Sequence, residues 1–328
     1  MIRRPQSAAA RASNPMKSGS SSQQRPSSGL SLPLDKSFGQ HLLKNPGILD
    51  KIIEAARINS TDTVLEVGPG TGNVTIKLVT AAKQVVALEI DPRMAAEVKK
   101  RIQAAGRNNL RVIEGDAIKT TFPQFDVCVA NLPYQISSPF VFKLLAHRPK
   151  FRCAVVMFQK EFAERLVAKV GEENYGRLAV NTQLFCNVTR VCLVSRGSFN
   201  PPPMVDSMVV KFVPHDHPVD VNFSEFDGML RICFNRKNKT LHAQFTTKHV
   251  TKILEDNYKT YCAFSNAQPV PDFKALMMGV LSSSSVSDVR AAKIDLEGYL
   301  ALLLAFNKVG IHFSNTQGVD DDEDAMQD

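Results

Sequence analysis

The sequence predicts an α/β fold: a mostly parallel sheet covered by helices on both faces, followed by a smaller all-helical domain. Three observations predict it. Apolar runs of strand length alternate with amphipathic helical segments from about Leu34 to residue 217. A glycine-rich turn stands at the first clear strand-to-helix junction, where an open parallel sheet places its ligand. After about Pro218 the strand signal fades and only helical periodicity continues. The length of 328 residues accommodates two such domains, and a core large enough to need no disulfide or metal staple.

Asn45-Pro46 opens the first helix, with proline in its first turn and Ile48, Ile52, Ile53 and Ala56 on its apolar face. Thr63–Val67 reads as a buried strand, then comes the glycine turn and a helix from about Asn73 to Ala82. Val85–Ile90 is a second strand, and Asp91-Pro92 opens a helix through Met94, Val98 and Ile102. Leu110–Ile113 and Phe125–Ala130 are the next strands. Ser137 or Ser138, before Pro139, is expected to cap a helix through Phe142, Leu145 and Ala146. Arg152–Phe158, Val188–Val194 and Ser207–Phe212 follow as strands, the last two suiting an antiparallel edge. In the second domain Phe223–Phe234, Lys248–Asn257, Asp272–Leu281, Ser287–Lys293 and Asp295–Asn307 read as helices.

The net charge of +8 is a near-cancellation. The first thirty residues carry five bases and no acid, and the last nine carry six acids and no base, which leaves +9 between them. Residues 1–33 lack apolar periodicity and are expected to be a disordered basic tail; a mitochondrial transit peptide is the alternative. Residues 315–328 are expected to be a solvated acidic tail. A basic body suits a polyanionic partner, most simply nucleic acid, though a basic soluble enzyme has the same charge. No apolar run approaches the roughly 20 residues of a membrane span. The six cysteines form no C-x-x-C and no His–Cys spacing fits zinc, so buried free thiols and no metal are expected.

The turn Glu66-Val67-Gly68-Pro69-Gly70-Thr71-Gly72 carries the first chemistry. Its glycines let the backbone turn sharply and approach a ligand with no Cβ in the way. A dinucleotide needs G-x-G-x-x-G with pyrophosphate on the helix N-terminus, and Glu66 would repel that anion. The spacing here is G-x-G-x-G, and an acid beside it suits the cationic sulfonium and amino group of S-adenosylmethionine. Glu89, ending the second strand, can accept from both ribose hydroxyls, and Asp116 in Glu114-Gly115-Asp116-Ala117 can accept from the adenine amine.

The second chemistry lies at Asn131-Leu132-Pro133-Tyr134, after the fourth strand. An Asn side-chain oxygen and a backbone carbonyl of Leu132 or Pro133 can hold the two N–H groups of a planar aromatic amine and orient its weak lone pair. Tyr134 offers a stacking face. An ordinary strand-to-helix loop would use the same turn residues.

Phe38-Gly39-Gln40-His41-Leu42-Leu43, the glycine turn after Glu66, Asn131–Tyr134 and Phe199-Asn200-Pro201-Pro202-Pro203-Met204-Val205-Asp206-Ser207 occur in this order. Together they resemble the ribosomal RNA adenine dimethyltransferases, the KsgA/Dim group, from about Lys36 to Ser314. Asn131–Pro139, Arg236–Thr240 and Gly310–Ser314 are most similar to the eukaryotic small-subunit branch. The resemblance implies a Rossmann-like S-adenosylmethionine-dependent methyltransferase domain over 34–217 and a helical RNA-binding domain over 218–314. It implies that Gln40, His41 and Leu43 close over the methionine end of the cofactor, with Gly68, Gly70 and Glu66 beside it. Glu89 would hold the ribose, Asp116 and Ala117 the cofactor adenine, and Ile90 would also bind the cofactor. Asn131 would stand between cofactor and target amine, with Leu132 and Pro133 on the amine and Tyr134 and Phe199 around the target adenine; Phe199 also reads as plain core.

The implied reaction is N6,N6-dimethylation of two adjacent adenosines in a hairpin near the 3′ end of small-subunit rRNA, without metal, with a role in subunit assembly and pre-rRNA processing. Arg236, Lys237 and Lys239 form the sharpest basic cluster of the second domain, suited to rRNA phosphates, or else a solvated helix face. The expected partner is the rRNA or pre-ribosomal particle, the expected state a monomer, and the expected place the nucleus or nucleolus, with the mitochondrion as alternative. A mitochondrial transcription factor or a non-catalytic RNA-binding assembly factor on the same fold would show drift in the tetrapeptide or glycine turn; both are intact.

Overall fold

The computed structural model describes residues 41–217, 219–314 and 316. The basic tail, Gln40 and all of the acidic tail except Thr316 lie outside the described residues. Thr316 is buried rather than solvated.

The chain begins with β1 (Leu42–Leu43), α1 (Pro46–Ala56), β2 (Thr63–Val67), α2 (Thr75–Ala81), β3 (Gln84–Glu89), α3 (Pro92–Ala104), β4 (Leu110–Glu114) and β5 (Val127–Asn131). It continues with α4 (Ser137–Ala146), β6 (Cys153–Gln159), α5 (Lys160–Val167), α6 (Arg177–Phe185), β7 (Cys186–Val194), β8 (Phe199–Asn200) and β9 (Ser207–Pro214). The last third is helical: α7 (Phe223–Phe234), α8 (Leu241–Phe245), α9 (Lys248–Phe264), α10 (Phe273–Ser283) and α11 (Leu296–Lys308).

Seven strands form one sheet in the order β4-β3-β2-β5-β6-β9-β7. The first five are parallel, while β9 runs antiparallel to both β6 and β7, which makes the expected antiparallel edge. Successive residues of the central strands enter opposite cores. Val64, Val127 and Val155 pack on one face with α1 and α3, and Leu65, Cys128 and Ala154 pack on the other with α4 and α5. Burial on both faces is why these strands read as continuous apolar runs rather than alternating ones. Within this sheet the chain enters at β2, winds outward to β4, and returns to β5 on the other side of β2. Connections from β2 and β5 therefore leave in opposite directions and open a crevice at their carboxyl ends.

The helical core gathers Phe226, Leu241, Leu254, Met277, Leu303 and Phe306, and also takes Ala179, Val180 and Leu184 from α6. Leu178 of the same helix belongs to the sheet's core. One helix thus serves both cores.

Some expectations need correction. The Ser137 hydroxyl caps no helix: it donates to the Tyr134 carbonyl at 2.8 Å, because a 3-10 turn over Tyr134–Ile136 runs straight into α4. Ser287–Lys293 is not a helix beyond a 3-10 turn at Ala291–Lys293. The Ser287 and Val289 carbonyls instead accept from the His242 and Leu241 N–H groups at the start of α8, which was not anticipated. Helix α9 runs past Asn257, since Val250, Leu254, Tyr258 and Cys262 continue one buried stripe at a spacing of four. Arg236, Lys237 and Lys239 lie in the turns after α7, not on a helix face. Helices α5 and α6 and the short pair β1–β8 also went unread.

Candidate cofactor and target-base site

The glycine turn leaves β2 with the Gly68 N–H donating to the Leu88 carbonyl at 3.0 Å. Gly68 has φ +73° and Gly70 φ +53°, in the left-handed region that side chains avoid. Space is as restrictive as torsion. A Cβ on Gly68 would stand 2.5 Å from the Asn131 carbonyl oxygen, and one on Gly70 would stand 2.9 Å from Leu42. Arg101 on α3 donates from Nη1 to the Thr71 carbonyl and to Asn73 Oδ1, both at 2.8 Å, and Asn73 Nδ2 donates to the Leu43 carbonyl at 2.8 Å. Leu43 pairs with Phe199 in the antiparallel pair β1–β8, so the turn is tied to two distant segments.

Three acids stand at successive strand ends. Glu66 is buried, and burial pushes its carboxyl up to about 8; nearby Thr75 opposes the rise and the Glu89 charge adds to it. Neither Glu66 Oε2 nor the Thr75 hydroxyl has a hydrogen-bond partner of good geometry among the described residues. Glu89 is also raised by burial, against the Asp91 and Gly70 N–H groups that its oxygens accept from at 3.1 Å. Asp116 Oδ1 accepts from the Ile118 N–H at 2.7 Å.

Opposite the glycine turn, Asn131 ends β5, buried Leu132 and Pro133 follow, and the Tyr134 hydroxyl lies 2.7 Å from Ser207 Oγ. Burial raises the Tyr134 phenol above its ordinary value, against the hydrogen bond to Ser207. His41 lies near-parallel to that ring, 6.5 Å between centroids, and its Nδ1 is 2.9 Å from the Pro201 carbonyl oxygen.

These groups line one cavity of about 310 Å³. His41, Leu43, Glu66, Gly68, Gly70, Glu89, Ile90, Asp116, Ala117, Asn131, Leu132, Pro133, Tyr134 and Phe199 all face it. Phe199 is also core, with only 5% of its surface exposed. Arg236, Lys237 and Lys239 do not line it. Sequence reasoning missed Asn73, Met94 and Thr71 in the lining and Ser207 as the partner of Tyr134. Asn73 directly follows the turn and was open to notice; Met94 carried only a helix-face signal.

The cavity fits S-adenosylmethionine. An unpartnered buried carboxylate oxygen waits beside a backbone stripped of Cβ atoms, which suits a cationic ligand pressed against the turn. Among the described residues no cluster of His, Cys, Asp or Glu could hold a metal ion, and no helix is long and apolar enough to cross a membrane.

Comparison with known proteins leads to the same chemistry. The family model described as Ribosomal RNA adenine dimethylase matches residues 33–276. A probable dimethyladenosine transferase of Caenorhabditis elegans is 54% identical over 287 residues, covering 86% of this chain and 93% of that protein. A crystal structure of a dimethyladenosine transferase from Plasmodium falciparum is 58% identical, with a TM-score of 0.81, covering 83% of this chain and 100% of that one. The 23S rRNA methyltransferase ErmE shares the fold at 24% identity and a TM-score of 0.59, over 81% of this chain and 99% of its own. With a family model matching most of the chain and relatives more than half identical over most of their length, the chain belongs to the S-adenosylmethionine-dependent ribosomal RNA adenine dimethylase family.

Proposed function

We propose that this enzyme dimethylates N6 of two adjacent adenosines in a hairpin near the 3′ end of small-subunit rRNA, within a pre-ribosomal particle in the nucleolus, and that its binding also serves subunit assembly and pre-rRNA processing. The observation that carries the reading is the contact of Gly68 with the Asn131 carbonyl, which brings the methyl-donor turn against the amine-holding loop.

S-adenosylmethionine, when bound, supplies an electrophilic methyl group on a sulfonium. Glu66 faces the cationic end, Glu89 and Ile90 the ribose, and Asp116 and Ala117 the cofactor adenine. Asn131 Oδ1 and a carbonyl of Leu132 or Pro133 accept the two N–H bonds of the target amine and turn its lone pair toward the donor. The same oxygens offset the positive charge that develops on nitrogen as the N–C bond forms and the methyl–sulfur bond breaks, its electron pair staying on sulfur as a neutral thioether. Tyr134 and Phe199 hold the flipped base by its faces, with His41 near the Tyr134 ring. A dedicated base is not needed, because the alkylated nitrogen is acidic enough to lose its proton to water. Arg236, Lys237 and Lys239 meet rRNA phosphates outside the cavity.

The test is primer extension on small-subunit rRNA after depletion, with cytosolic and mitochondrial rRNA read separately. Loss of the methylation-dependent stop near the 3′ end of the cytosolic rRNA is the expected result. Loss confined to mitochondrial rRNA, or no loss in either, overturns the assignment.

A further inference from the structure

Three backbone carbonyls converge on one ammonium group beside the cavity. Lys143, on α4, donates from Nζ to the carbonyls of Ala117 at 2.8 Å, Ile118 at 2.7 Å and Thr120 at 2.6 Å. An ammonium has three N–H bonds, so these acceptors saturate it, and each bond is charge-assisted. The same Nζ lies 4.3 Å from the centroid of the Phe122 ring.

The segment it grips is tightly wound. The Asp116 carbonyl accepts from the Thr120 N–H at 2.8 Å, Asp116 Oδ1 accepts from Ile118, and a Cβ on Gly115 would stand 2.5 Å from Thr120 Oγ1. Such a turn aims several carbonyls one way and needs a cation or water to answer them. Asp116 and Ala117 from this turn line the cavity, whereas Lys143 does not. Helix α4 also carries Ser137, which donates to the Tyr134 carbonyl, so one helix is bonded to both the cofactor-adenine turn and the target-base loop.

We propose that Lys143 is a positioning residue that holds the 115–120 turn in the shape that selects adenine over other purines in the cofactor. The proposal rests on the assignment of Asp116 to the cofactor adenine made above. A carboxylate acceptor favours a base bearing an amine at C6 and disfavours hypoxanthine, which has an oxygen there; such a mismatch leaves polar groups unpaired and is discriminated strongly. Without the ammonium, three carbonyls lose their common partner and the turn relaxes, so the preference falls. Arginine does not replace it, because a planar guanidinium cannot present a tripod of donors.

The experiment is calorimetric binding of S-adenosylhomocysteine and S-inosylhomocysteine to the full chain as wild type, Lys143→Met and Lys143→Arg. Wild type is expected to prefer the adenosyl ligand by more than about tenfold, and both variants to lose most of that ratio. A variant that folds and keeps the wild-type ratio, whatever its melting temperature, overturns the proposal. If Lys143→Met does not fold, Lys143→Arg decides on the same criterion. A wild type that binds both ligands equally overturns the Asp116 assignment itself, and the proposal with it, which is a different result from a discriminating wild type with equally discriminating variants.

Discussion

Gly68 and Asn131 touch: the only side chain the turn tolerates at 68 is none, because the Asn131 carbonyl oxygen occupies the space a Cβ would need. This contact joins two loops that leave neighbouring parallel strands, β2 and β5, at the point where the connections diverge. In the proposed reaction this close approach would set the separation between methyl donor and target amine, which a displacement of about 1 Å would spoil.

Gly68→Ala should therefore injure both functions together. The substitution forces an L side chain into φ +73° and drives it into backbone that cannot yield. Left-handed strain alone costs about 1–2 kcal/mol. A lower melting temperature, weaker S-adenosylhomocysteine binding and loss of methyl transfer are expected. Wild-type binding in the variant would show that the turn has slack.

Asn131→Ala separates the two functions. The backbone carbonyl against Gly68 is kept and the side-chain oxygen is lost. Methyl transfer should fall by about 10²-fold or more, as for other positioned groups that meet developing charge. Affinity for S-adenosylhomocysteine, measured by calorimetry, should change little. Full methylation by the variant would refute the role.

Glu66→Gln should reveal the cost of a buried acid. With the folded carboxyl at about 8 and the ordinary value at 4.5, the folded protein holds a proton that the unfolded chain has released anywhere between those values. Its contribution to stability is full below about pH 4.5, is lost as pH rises through the window, and levels off above about 8. Without cofactor, the Gln variant should match wild type near pH 5 and exceed it at pH 8, by a few kcal/mol at most. Thermal melts across that range check the sign, and parallel profiles would place the carboxyl elsewhere. The same variant should bind the cationic cofactor more weakly.

Tyr134 can be divided into ring and hydroxyl. Tyr134→Phe loses the bond to Ser207, worth about 1 kcal/mol of stability, and should still methylate. Tyr134→Ala should weaken binding of the target by about 1–3 kcal/mol, the range for one stacked base. Competition binding with a short adenosine-containing hairpin measures both; equal losses in the two variants would argue against stacking.

Reversing charge at Arg236, Lys237 and Lys239 should weaken rRNA binding at least about tenfold near 0.15 M salt and flatten its salt dependence. S-adenosylhomocysteine affinity should stay as in wild type, since none of the three lines the cavity. Unchanged rRNA binding at physiological salt would sink the phosphate-contact reading.

Periodicity over many residues was legible in the sequence. Phe223–Phe234 reads as a helix and forms one with the same bounds, behind an Asn222 cap that the structure adds. The acids at 66, 89 and 116 were legible as strand ends, and that alone placed them on one edge of a parallel sheet. What failed depended on partners far along the chain. Ser137 looks like a cap, but whether its hydroxyl caps depends on how the Tyr134 turn enters the helix. Ser287–Lys293 has helical residues, yet α8 takes its carbonyls.

The sequence by itself determined the parallel sheet, most of its covering helices, the glycine turn after Glu66 and the loop after β5, since each follows from local periodicity, strand ends and glycine content. Only the tertiary structure decided that β1 pairs with β8, that Gly68 meets Asn131, that burial raises the Glu66 carboxyl, and that Lys143 answers three carbonyls. Strands of two residues have no period to read. A carboxyl's pKa follows from how completely water is excluded around it. Every residue carries a carbonyl, so no sequence marks the three that one ammonium will gather.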